Sequence, residues 1–363
     1  MAIRTVSVPS LVPLLKPPIE IDIQPISAVK PAKISWLWKD KIAFGKMTLF
    51  AGEPGVGKSQ LLLYIASIVS RGGTFHFDNR RCEPGNVLLI SGEDSADDTI
   101  APRLMALGAD LERIHFVKGI KKTDKKGHEY FDPICLVDHL AELEDEIVKH
   151  KYKLIIVDPI SLYLGSVDEN KNKEIRSALA VLTALAERNN LALVPNSHFS
   201  KPSGSANKNA IYRVMGSIGF AAAARIVFGV MKDPEDPKRR LFIPIKNNIG
   251  PDTEGLVYNI KPVIVGNNRI ETSMVDWLNE KVTKTANELM NIGTGQPTPK
   301  LHEAKEFLLK ILEKGSVPLS EIRSKADAIG ITAPRLYEAK NALDIFEDVS
   351  ISNKRGKYWS LPA

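Results

Sequence analysis

Residues 52–59 read Gly-Glu-Pro-Gly-Val-Gly-Lys-Ser, a complete Walker A sequence, and this stretch decides the fold. A short apolar run, 47–51, precedes it, and a run without glycine or proline, 60–69, follows it. A strand, a glycine-rich loop and a helix in this order direct backbone N–H groups and a helix N-terminus at phosphates. The stretch therefore predicts a nucleotide-phosphate site. Its expected members are Gly52, Glu53, Pro54, Gly55, Val56, Gly57, Lys58, Ser59 and Gln60.

Two side chains of this loop are expected to carry its chemistry. Gly55 and Gly57 allow the backbone to curl with no Cβ in the way. The Lys58 ammonium is expected to reach the β- and γ-phosphates, and the Ser59 hydroxyl is expected to bind Mg²⁺. The cofactors predicted from the loop are therefore ATP and Mg²⁺.

Composition and charge are typical of a globular chain and exclude several other classes. Of the 363 residues, 44% are hydrophobic and 25% are charged, which is enough apolar material to bury a core. The two cysteines, Cys82 and Cys135, support neither a disulfide framework nor a zinc site. No run of about eighteen apolar residues and no signal-like start is visible, so we expect a cytoplasmic protein without a membrane partner. The net charge of +6 is compatible with an anionic partner.

The chain is expected to have four parts. Residues 1–33 are rich in proline and are interpreted as an N-terminal arm. In residues 34–279, strand-like runs alternate with longer helical runs, which is typical of an α/β P-loop NTPase domain with a mostly parallel sheet. Residues 280–299 are polar and are interpreted as a linker. Residues 300–363 contain three amphipathic helical segments followed by a small hairpin, the pattern of a winged-helix domain.

Hydrolysis requires more than a phosphate loop, because an acid must hold Mg²⁺ and a base must activate water. In the stretch 154–158, four apolar residues precede Asp158, which places this carboxylate at the expected carboxyl end of a strand. Asp158 is therefore predicted to hold Mg²⁺, partly through water, together with Ser59. The alternative is an aspartate that starts a turn before Pro159.

The candidate base follows another apolar strand, 86–91. Glu93 lies just beyond this strand and is expected to polarise the water that attacks the γ-phosphate. Asp94 is one residue away and stays open as an alternative. Asp97 and Asp98 fit acids in the first turn of the next helix, which is also the structural interpretation of Asp94.

Three further candidates lie near the ends of strand-like runs. His198 follows the run 191–195 and is placed to contact the γ-phosphate, although a single histidine is often structural. Arg225 and Lys246 are candidate cations that reach the nucleotide of the next subunit, in the manner of an arginine finger. Both are equally compatible with solvated charges at strand ends.

Six motifs carry a family resemblance, and they cover residues 35 to 271: GEPGVGKS, SGED, LIIVDP, NSHFSK, YRVMGSIGFAAAARIVFGV and IPIKNNIGPDTEGLVYNI. Together they resemble the RepA-type replicative helicases, which belong to the RecA-like ring ATPases of plasmids, phages and integrated elements. One position departs from the family, since Ser197 stands where relatives often carry a second histidine. The resemblance implies a RecA-like fold, hexameric rings and ATP hydrolysis between subunits. It also implies roles for Glu93 as catalytic glutamate, Asp158 as Walker B acid, His198 as sensor, Arg225 as the arginine finger of a neighbouring protomer and Lys246 as a second trans contact.

Two regions are candidates for contact with nucleic acid. The polar segment 200–209 carries Lys201 and Lys208, and in RecA-like rings the loop at this point faces the central pore and tracks single-stranded DNA. An ordinary surface loop has the same composition. In the C-terminal domain, the third helix and the wing are expected to meet duplex DNA or an initiator protein. The candidate residues there are Arg335, Lys340, Lys354, Arg355 and Lys357.

Three functions are compatible with these features. The first is an ATP-hydrolysing, ring-forming DNA motor, a replicative DNA helicase of a plasmid, phage or integrated element. The second is a DNA-binding regulator or helicase loader in which ATP switches the oligomeric state without translocation. The third is a RecA-like recombination or partner-remodelling ATPase. Fold resemblance alone does not separate them, because RecA-like ATPases serve all three roles.

Overall fold

A computed structural model describes residues 23–124, 126–168, 171–199, 210–214, 218–292, 301–313, 315–351 and 354–361. The chain divides into two units, residues 1–34 and residues 35–363. The described part of the first unit holds a turn of 3₁₀-helix, Ile26–Ala28, whose side chains are exposed. All elements named below belong to the second unit.

Strands and helices alternate through most of the second unit. Its strands are β1 (Trp36–Trp38), β2 (Ile42–Ala43), β3 (Thr48–Gly52), β4 (Asn86–Ser91), β5 (Ile114–Phe116), β6 (Ile120–Thr123), β7 (Glu129–Asp132), β8 (Tyr152–Asp158), β9 (Ala192–His198), β10 (Ile226–Lys232), β11 (Arg239–Asn247), β12 (Gly255–Val265), β13 (Ile270–Val282), β14 (Val317–Pro318), β15 (Phe346–Ile351) and β16 (Lys354–Ser360). Its α-helices are α1 (Lys58–Arg71), α2 (Ala101–Ala106), α3 (Leu140–His150), α4 (Asn172–Arg188), α5 (Ile218–Ala223), α6 (Ala286–Ile292), α7 (Leu301–Leu312), α8 (Leu319–Ala328) and α9 (Ala333–Ala342). Among the described residues, no helix combines the length and the apolarity that crossing a lipid bilayer requires.

The strand before the phosphate loop lies in the middle of a large sheet. Within the described residues, nine strands form this sheet in the order β13-β12-β11-β10-β3-β9-β8-β4-β5. The strands from β10 to β5 are parallel, whereas β11, β12 and β13 continue the sheet as antiparallel strands. Five of the eight pairings are parallel, so the sheet is mostly parallel. Parallel neighbours require crossover connections, and α1, α3 and α4 lie in them.

Helices cover both faces of the sheet. Successive residues of a strand point to opposite faces, so Phe50 packs in one apolar layer while Leu49 and Ala51 pack in the other. Helices α1 and α2 contribute to the layer of Phe50, and helices α3, α4 and α5 contribute to the layer of Leu49. The prediction of an α/β fold with a mostly parallel sheet is confirmed.

The carboxyl end of β9 differs from the prediction. The apolar run suggested a strand over 191–195, yet β9 continues to His198. The extension is held by β3, because Asn196, Ser197 and His198 pair with the last three residues of β3. Sheet pairing therefore overrides the polarity of these residues, and the candidate sensor lies inside a strand rather than after it.

Several elements were not expected. The hairpin predicted near 256–270 is longer, and its two strands, β12 and β13, extend the main sheet to Val282. The predicted linker, 280–299, contains helix α6, whose Ala286 and Leu289 are buried against β11 and β12. The sequence does not predict the hairpin of β6 and β7, because most of its residues are exposed and show no apolar alternation.

The C-terminal residues build a small hydrophobic core of their own. Helices α7, α8 and α9 pack around a core that includes Leu308, Ile322, Leu336 and the fully buried Trp359. Strands β14, β16 and β15 form an antiparallel sheet beside them. Three helices and a small sheet agree in element order with the expected pattern, and the assignment as a winged helix stays a prediction.

Candidate nucleotide site

The phosphate loop connects β3 to α1, and glycine conformation gives it its shape. Gly57 precedes the first residue of α1 with a φ of 96°, and Gly55 has a φ of 71°. Both values lie in the left-handed region that other residues rarely adopt. A Cβ on Gly57 would lie 2.7 Å from Cδ1 of Ile260, a residue of β12, whereas a Cβ on Gly55 would meet nothing within 4 Å. The curled backbone leaves the first N–H groups of α1 without helical partners and directed at the loop.

Lys58 lies under the loop and is almost fully buried. Its ammonium donates to the carbonyl oxygens of Gly52, at 3.0 Å, and Glu53, at 2.9 Å, and lies 3.4 Å from Nδ1 of His198. Burial lowers the pKa of the Lys58 ammonium, and the carboxylates of Asp158 and Glu93 oppose this shift. The cation is therefore held in the loop by carbonyl groups that a phosphate oxygen can replace.

Asp158 ends β8 beside the loop and is bonded to two neighbours. The side-chain amide of Asn196 donates to its Oδ1 atom, and its carboxyl also forms a hydrogen bond with the Ser59 side chain. Burial raises the pKa of the Asp158 carboxyl, and these hydrogen bonds counteract the shift. The three side chains come from β8, β9 and α1, and they form one oxygen-rich group.

This oxygen-rich group fits Mg²⁺ and ATP. The Oδ1 atom of Asn196 is buried and has no hydrogen-bond partner within the described residues, so it can accept a hydrogen bond from a water on the ion. A hydroxyl and a carboxylate are ligands that Mg²⁺ prefers, and this ion usually keeps several waters and phosphate oxygens besides. In the described part of the chain no group of three or more His, Cys, Asp or Glu residues could hold a metal alone. Ser59 and Asp158 would therefore hold a Mg²⁺ that the nucleotide brings with it.

The structure separates the two candidate bases. Oε1 of Glu93 lies 3.6 Å from Nε2 of His198, and the Glu93 side chain is 52% exposed. Asp94, in contrast, accepts an ion-paired hydrogen bond of 2.7 Å from Arg103 of α2. Glu93 thus faces the group of Lys58 and His198, whereas Asp94 is turned towards α2. This geometry favours Glu93 as the base, and the role itself stays a prediction.

Asp97 and Asp98 lie in the first turn of the next helix, as the structural interpretation of these acids predicts. Residues 96–100 form one turn of π-helix that continues into α2. Asp97 accepts hydrogen bonds from the Ser95 hydroxyl and from the backbone N–H of Asp98. These bonds are local to the first turn of the helix, which agrees with a structural role.

The two candidate trans cations lie at the opposite edge of the sheet. Ile226 pairs with Thr48, the first residue of β3, and Arg225 precedes it. The four steps from Thr48 to Gly52 span about 13 Å, so Arg225 is separated from the phosphate loop of its own chain by the length of a strand. Arg225 is exposed.

Lys246 pairs with Val227 near the same edge and is anchored within the chain. Its ammonium donates to the carbonyl oxygens of Ala221, at 2.8 Å, and Ala224, at 2.7 Å, at the end of α5. Burial and the neighbouring Arg225 lower the pKa of the Lys246 ammonium. In this structure Lys246 therefore fastens α5 to β11.

Sequence reasoning named Glu53 and Gln60 as loop residues but missed their partners. Arg213 places Nη2 3.2 Å from Oε1 of Glu53 and lies over the ring of Phe199. The Gln60 side-chain amide lies 2.6 Å from the hydroxyl oxygen of Ser273, in β13. These partners are 160 and 213 residues apart in the chain, so no local pattern could have paired them.

The residues predicted to contact nucleic acid differ in their exposure and in their partners. Lys201 and Lys208 lie outside the described residues. Lys354 and Arg355 belong to β16, where their backbones pair with β15. Arg335 is exposed and ion-paired with Glu338 at 2.6 Å.

The remaining two, Lys340 and Lys357, both bind one carboxylate. Glu347 accepts hydrogen bonds from the ammonium of Lys357 at 2.6 Å, from the indole of Trp359 at 3.0 Å and from the ammonium of Lys340 at 3.1 Å. These three donors lower the pKa of Glu347 to about 2. Lys340 is also covered by the rings of Trp359 and Tyr337, so the structure gives it a role in holding the C-terminal core together.

Comparisons with known proteins agree with a nucleotide site at the loop. A family model described as "AAA domain" matches residues 17–204. The DNA repair protein RadA of Mycobacterium tuberculosis (strain H37Rv) is 27% identical over 171 residues, which are 46% of this chain and 30% of RadA. RadA of Helicobacter pylori (strain J99) is 26% identical over 226 residues, 61% of this chain and 41% of RadA, and RadA of Chlamydia muridarum is 23% identical over 265 residues, 73% and 48%. The chain thus spans less than half the length of these relatives.

Proposed function

We propose that this chain, which belongs to the AAA domain family, is an ATP-hydrolysing DNA motor that works as a ring of identical subunits. The family match and the similarity to RadA make it a RecA-like P-loop ATPase. One observation carries the rest of the proposal. The groups that would bind Mg²⁺ and ATP meet at the carboxyl edge of the sheet, while the exposed Arg225 lies at the other edge.

The chemistry of one subunit follows from its side chains. Lys58 would exchange the carbonyls of Gly52 and Glu53 for phosphate oxygens, and Ser59 and Asp158 would hold the Mg²⁺ that neutralises phosphate charge. Glu93 would orient the attacking water and accept its proton. His198 lies between Glu93 and Lys58, so it would transmit the presence of the γ-phosphate to β9.

The second half of the site would come from a neighbour. Arg225 is too far along the strand to reach its own nucleotide, and a ring that apposes opposite sheet edges would bring it to the next one. There it would stabilise charge on the transferring phosphoryl group as an arginine finger. Lys246 is proposed as the second trans contact, which requires its ammonium to leave the carbonyls at the end of α5. The hexameric state is part of this proposal, by analogy with the RepA-type helicases.

DNA is the proposed partner. The curated relatives are named as DNA repair proteins, the chain has a net charge of +6, and phosphate contact dominates non-specific DNA affinity. Single-stranded DNA would pass the loop that carries Lys201 and Lys208. Duplex DNA or an initiator protein would meet the C-terminal winged helix through Arg335, Lys340, Lys354, Arg355 and Lys357. In this arrangement Lys340 and Lys357 would have to leave Glu347, and Arg335 would have to leave Glu338. The finer proposal is a replicative helicase of a plasmid, phage or integrated element.

The similarity to RadA favours a second candidate, a RecA-like recombination or partner-remodelling ATPase. Both candidates require hydrolysis that single-stranded DNA stimulates. Directional unwinding of a forked duplex would favour the helicase. Stimulated hydrolysis with strand pairing and no unwinding would favour the second candidate.

The first experiment measures steady-state ATP hydrolysis by the full chain, with and without single-stranded DNA, at low and moderate salt. We expect strong stimulation by DNA that salt weakens, because the contacts are largely electrostatic. Lys58→Ala should abolish both basal and stimulated hydrolysis. Hydrolysis that is indifferent to DNA would argue against a motor and for an ATP-switched regulator or loader.

A mixing experiment tests the shared site. Arg225→Ala and Glu93→Gln should each be inactive, while an equimolar mixture should regain up to about a quarter of wild-type activity, since random assembly gives that share of interfaces with both intact halves. The matched control mixes Glu93→Gln with Lys58→Ala. Both of those defects lie in the same half of the site, so no interface is complete and no activity should return. Equal activity in the two mixtures would refute a trans role for Arg225.

A further inference from the structure

The hairpin of β6 and β7 leaves the sheet near the nucleotide site, and the nucleotide site does not use it. It follows β5, whose parallel partner β4 leads into Glu93 at the carboxyl edge of the sheet. We propose that this hairpin is a contact site for single-stranded nucleic acid, in which unpaired bases stack on Tyr130 and Phe131 and the neighbouring lysines meet the phosphates. This inference rests on the proposed DNA partner and adds a site that lies outside the loop 200–209 and outside the C-terminal domain.

The hairpin is anchored at its base, and hydrogen bonds hold its two ends. Val117 and Ile120 pack against the apolar layer of helices α3 and α4. Gly119 has a φ of 135°, and a Cβ there would lie 2.5 Å from the carbonyl oxygen of Asp132, so the two strands approach closely where they leave the domain. At the other end, Oδ1 of Asp124 accepts hydrogen bonds from two backbone N–H groups of the turn. A preorganised element loses little conformational entropy when it binds.

The outer part of the hairpin exposes two aromatic rings. The side chains of Tyr130 and Phe131 are 45% and 56% exposed, and successive residues of a strand point to opposite faces. Each face of the hairpin therefore carries one ring that contributes little to the core of the domain. Exposed rings of this kind are the groups on which unpaired bases stack, independently of base identity.

A lysine lies across the hairpin from each ring. Lys122 pairs with Tyr130 and Lys121 pairs with Phe131. Both ammonium groups form exposed ion pairs of 2.6 Å, with Asp132 and with Glu129 respectively. Exposed ion pairs contribute little stability, so each lysine can exchange its carboxylate for a phosphate at small cost.

Charge favours nucleic acid over a protein partner at this surface. Residues 118–132 contain five lysines and three acidic residues, an excess of two positive charges in the sequence. Aromatic rings between lysines match a chain of bases and phosphates.

The test measures binding of a fluorescein-labelled oligothymidine to the full chain by fluorescence anisotropy, over a range of salt concentrations. The double variant Tyr130→Leu/Phe131→Leu keeps apolar side chains and removes the rings. We expect it to weaken binding about 10- to 100-fold without changing the salt dependence, because stacking is not electrostatic. The variant Lys121→Gln/Lys122→Gln should instead reduce the slope of log K against log salt by about 1.4, since each phosphate contact on a single strand contributes about 0.7.

A matched control is available elsewhere on the surface. Phe77 is also exposed, at 42%, and the Lys281 ammonium lies 5.6 Å from the centre of its ring. Phe77→Leu should leave affinity and slope at wild-type values. All variants should keep DNA-independent hydrolysis, which shows that they fold.

The outcomes separate this inference from the proposed function. Wild-type chain that binds no oligothymidine refutes both. Wild-type binding that the hairpin variants and Phe77→Leu leave equally intact overturns the hairpin site alone. Hairpin variants that change sedimentation but not binding would assign the hairpin to contacts between copies of the chain, which also overturns the proposal.

Discussion

Glu93 and Asp94 are neighbouring carboxylates with different surroundings, and their amide variants test which one is the base. Glu93→Gln and Asp94→Asn each remove one negative charge and keep the shape of the side chain. Glu93 lies 3.6 Å from His198 and is half exposed, as a group that meets water must be. Asp94 is bound to Arg103 at 2.7 Å. The two substitutions are therefore matched in chemistry and differ only in position.

The kcat values of the two variants should differ by orders of magnitude. Loss of a positioned general base costs about 10²- to 10⁴-fold, so the kcat of Glu93→Gln should fall by that factor, or about 3 to 5 kcal/mol of barrier. The ion pair of Asp94 is 22% and 30% exposed on its two sides. A pair of this exposure contributes at most about 1 kcal/mol to folding, so Asp94→Asn should lower Tm by no more than about 2 to 4 °C and kcat by no more than a few-fold.

The assay combines single-turnover hydrolysis with equilibrium binding of a fluorescent ATP analogue. Both variants should bind nucleotide with wild-type affinity, since neither carboxylate contacts the phosphate loop. Arg103→Gln serves as a control, because it breaks the ion pair without touching either acid and should behave as Asp94→Asn does. Unchanged turnover in Glu93→Gln, or an equal loss in Asp94→Asn, would refute the assignment of the base.

Three further outcomes follow from the geometry. Gly57→Ala should impair ATP binding more than Gly55→Ala, because both residues have positive φ but only the first would press on Ile260; equal effects in a binding titration would contradict this. Asp158→Asn should abolish Mg²⁺-dependent hydrolysis while the nucleotide-free chain melts at the same or a higher temperature at pH 7, because burial raises the pKa of this carboxyl and its charge costs stability there. The three donors lower the pKa of Glu347 to about 2. The stabilisation of the folded state by its charge is therefore complete above the ordinary pKa of a glutamate and is lost as pH falls towards 2. The Tm difference between wild type and Glu347→Gln should therefore shrink between about pH 4.5 and pH 2, and a constant difference would disprove the linkage.

Local patterns predicted the elements of the fold and failed where distant contacts decide. The phosphate loop and the strand ending at Asp158 are contiguous in sequence, so glycine spacing and apolar runs were sufficient to place them. The extension of β9 to His198 depends on pairing with β3, which no window of neighbouring residues reveals. The sequence pattern predicts a linker where helix α6 forms, because the few apolar residues of this helix are buried only by contact with β11 and β12.

The sequence was sufficient to predict which residues belong to the candidate site, but not which residues they contact. Residue type and strand-end position selected Glu93 and Asp158. The hydrogen bond from Asn196 to Asp158 and the ion pair from Arg103 to Asp94 join different elements, so they depend on the register of the sheet and on the packing of α2. These partners, rather than spacing, distinguish two adjacent acids.

In the proposed ring, the two edges of the sheet would contribute different halves of each catalytic site. Parallel strands place their carboxyl ends together, which gathers Lys58, Asp158 and His198 at one edge. The same polarity places Arg225 at the other edge, because it precedes a strand that is parallel to β3. Glu93 remains half exposed, so water surrounds the base and screens any charge on a transferring phosphate. A second copy that covers this edge with its own Arg225 edge would supply a cation and exclude water in one step, and repetition of that contact by rotation closes a ring.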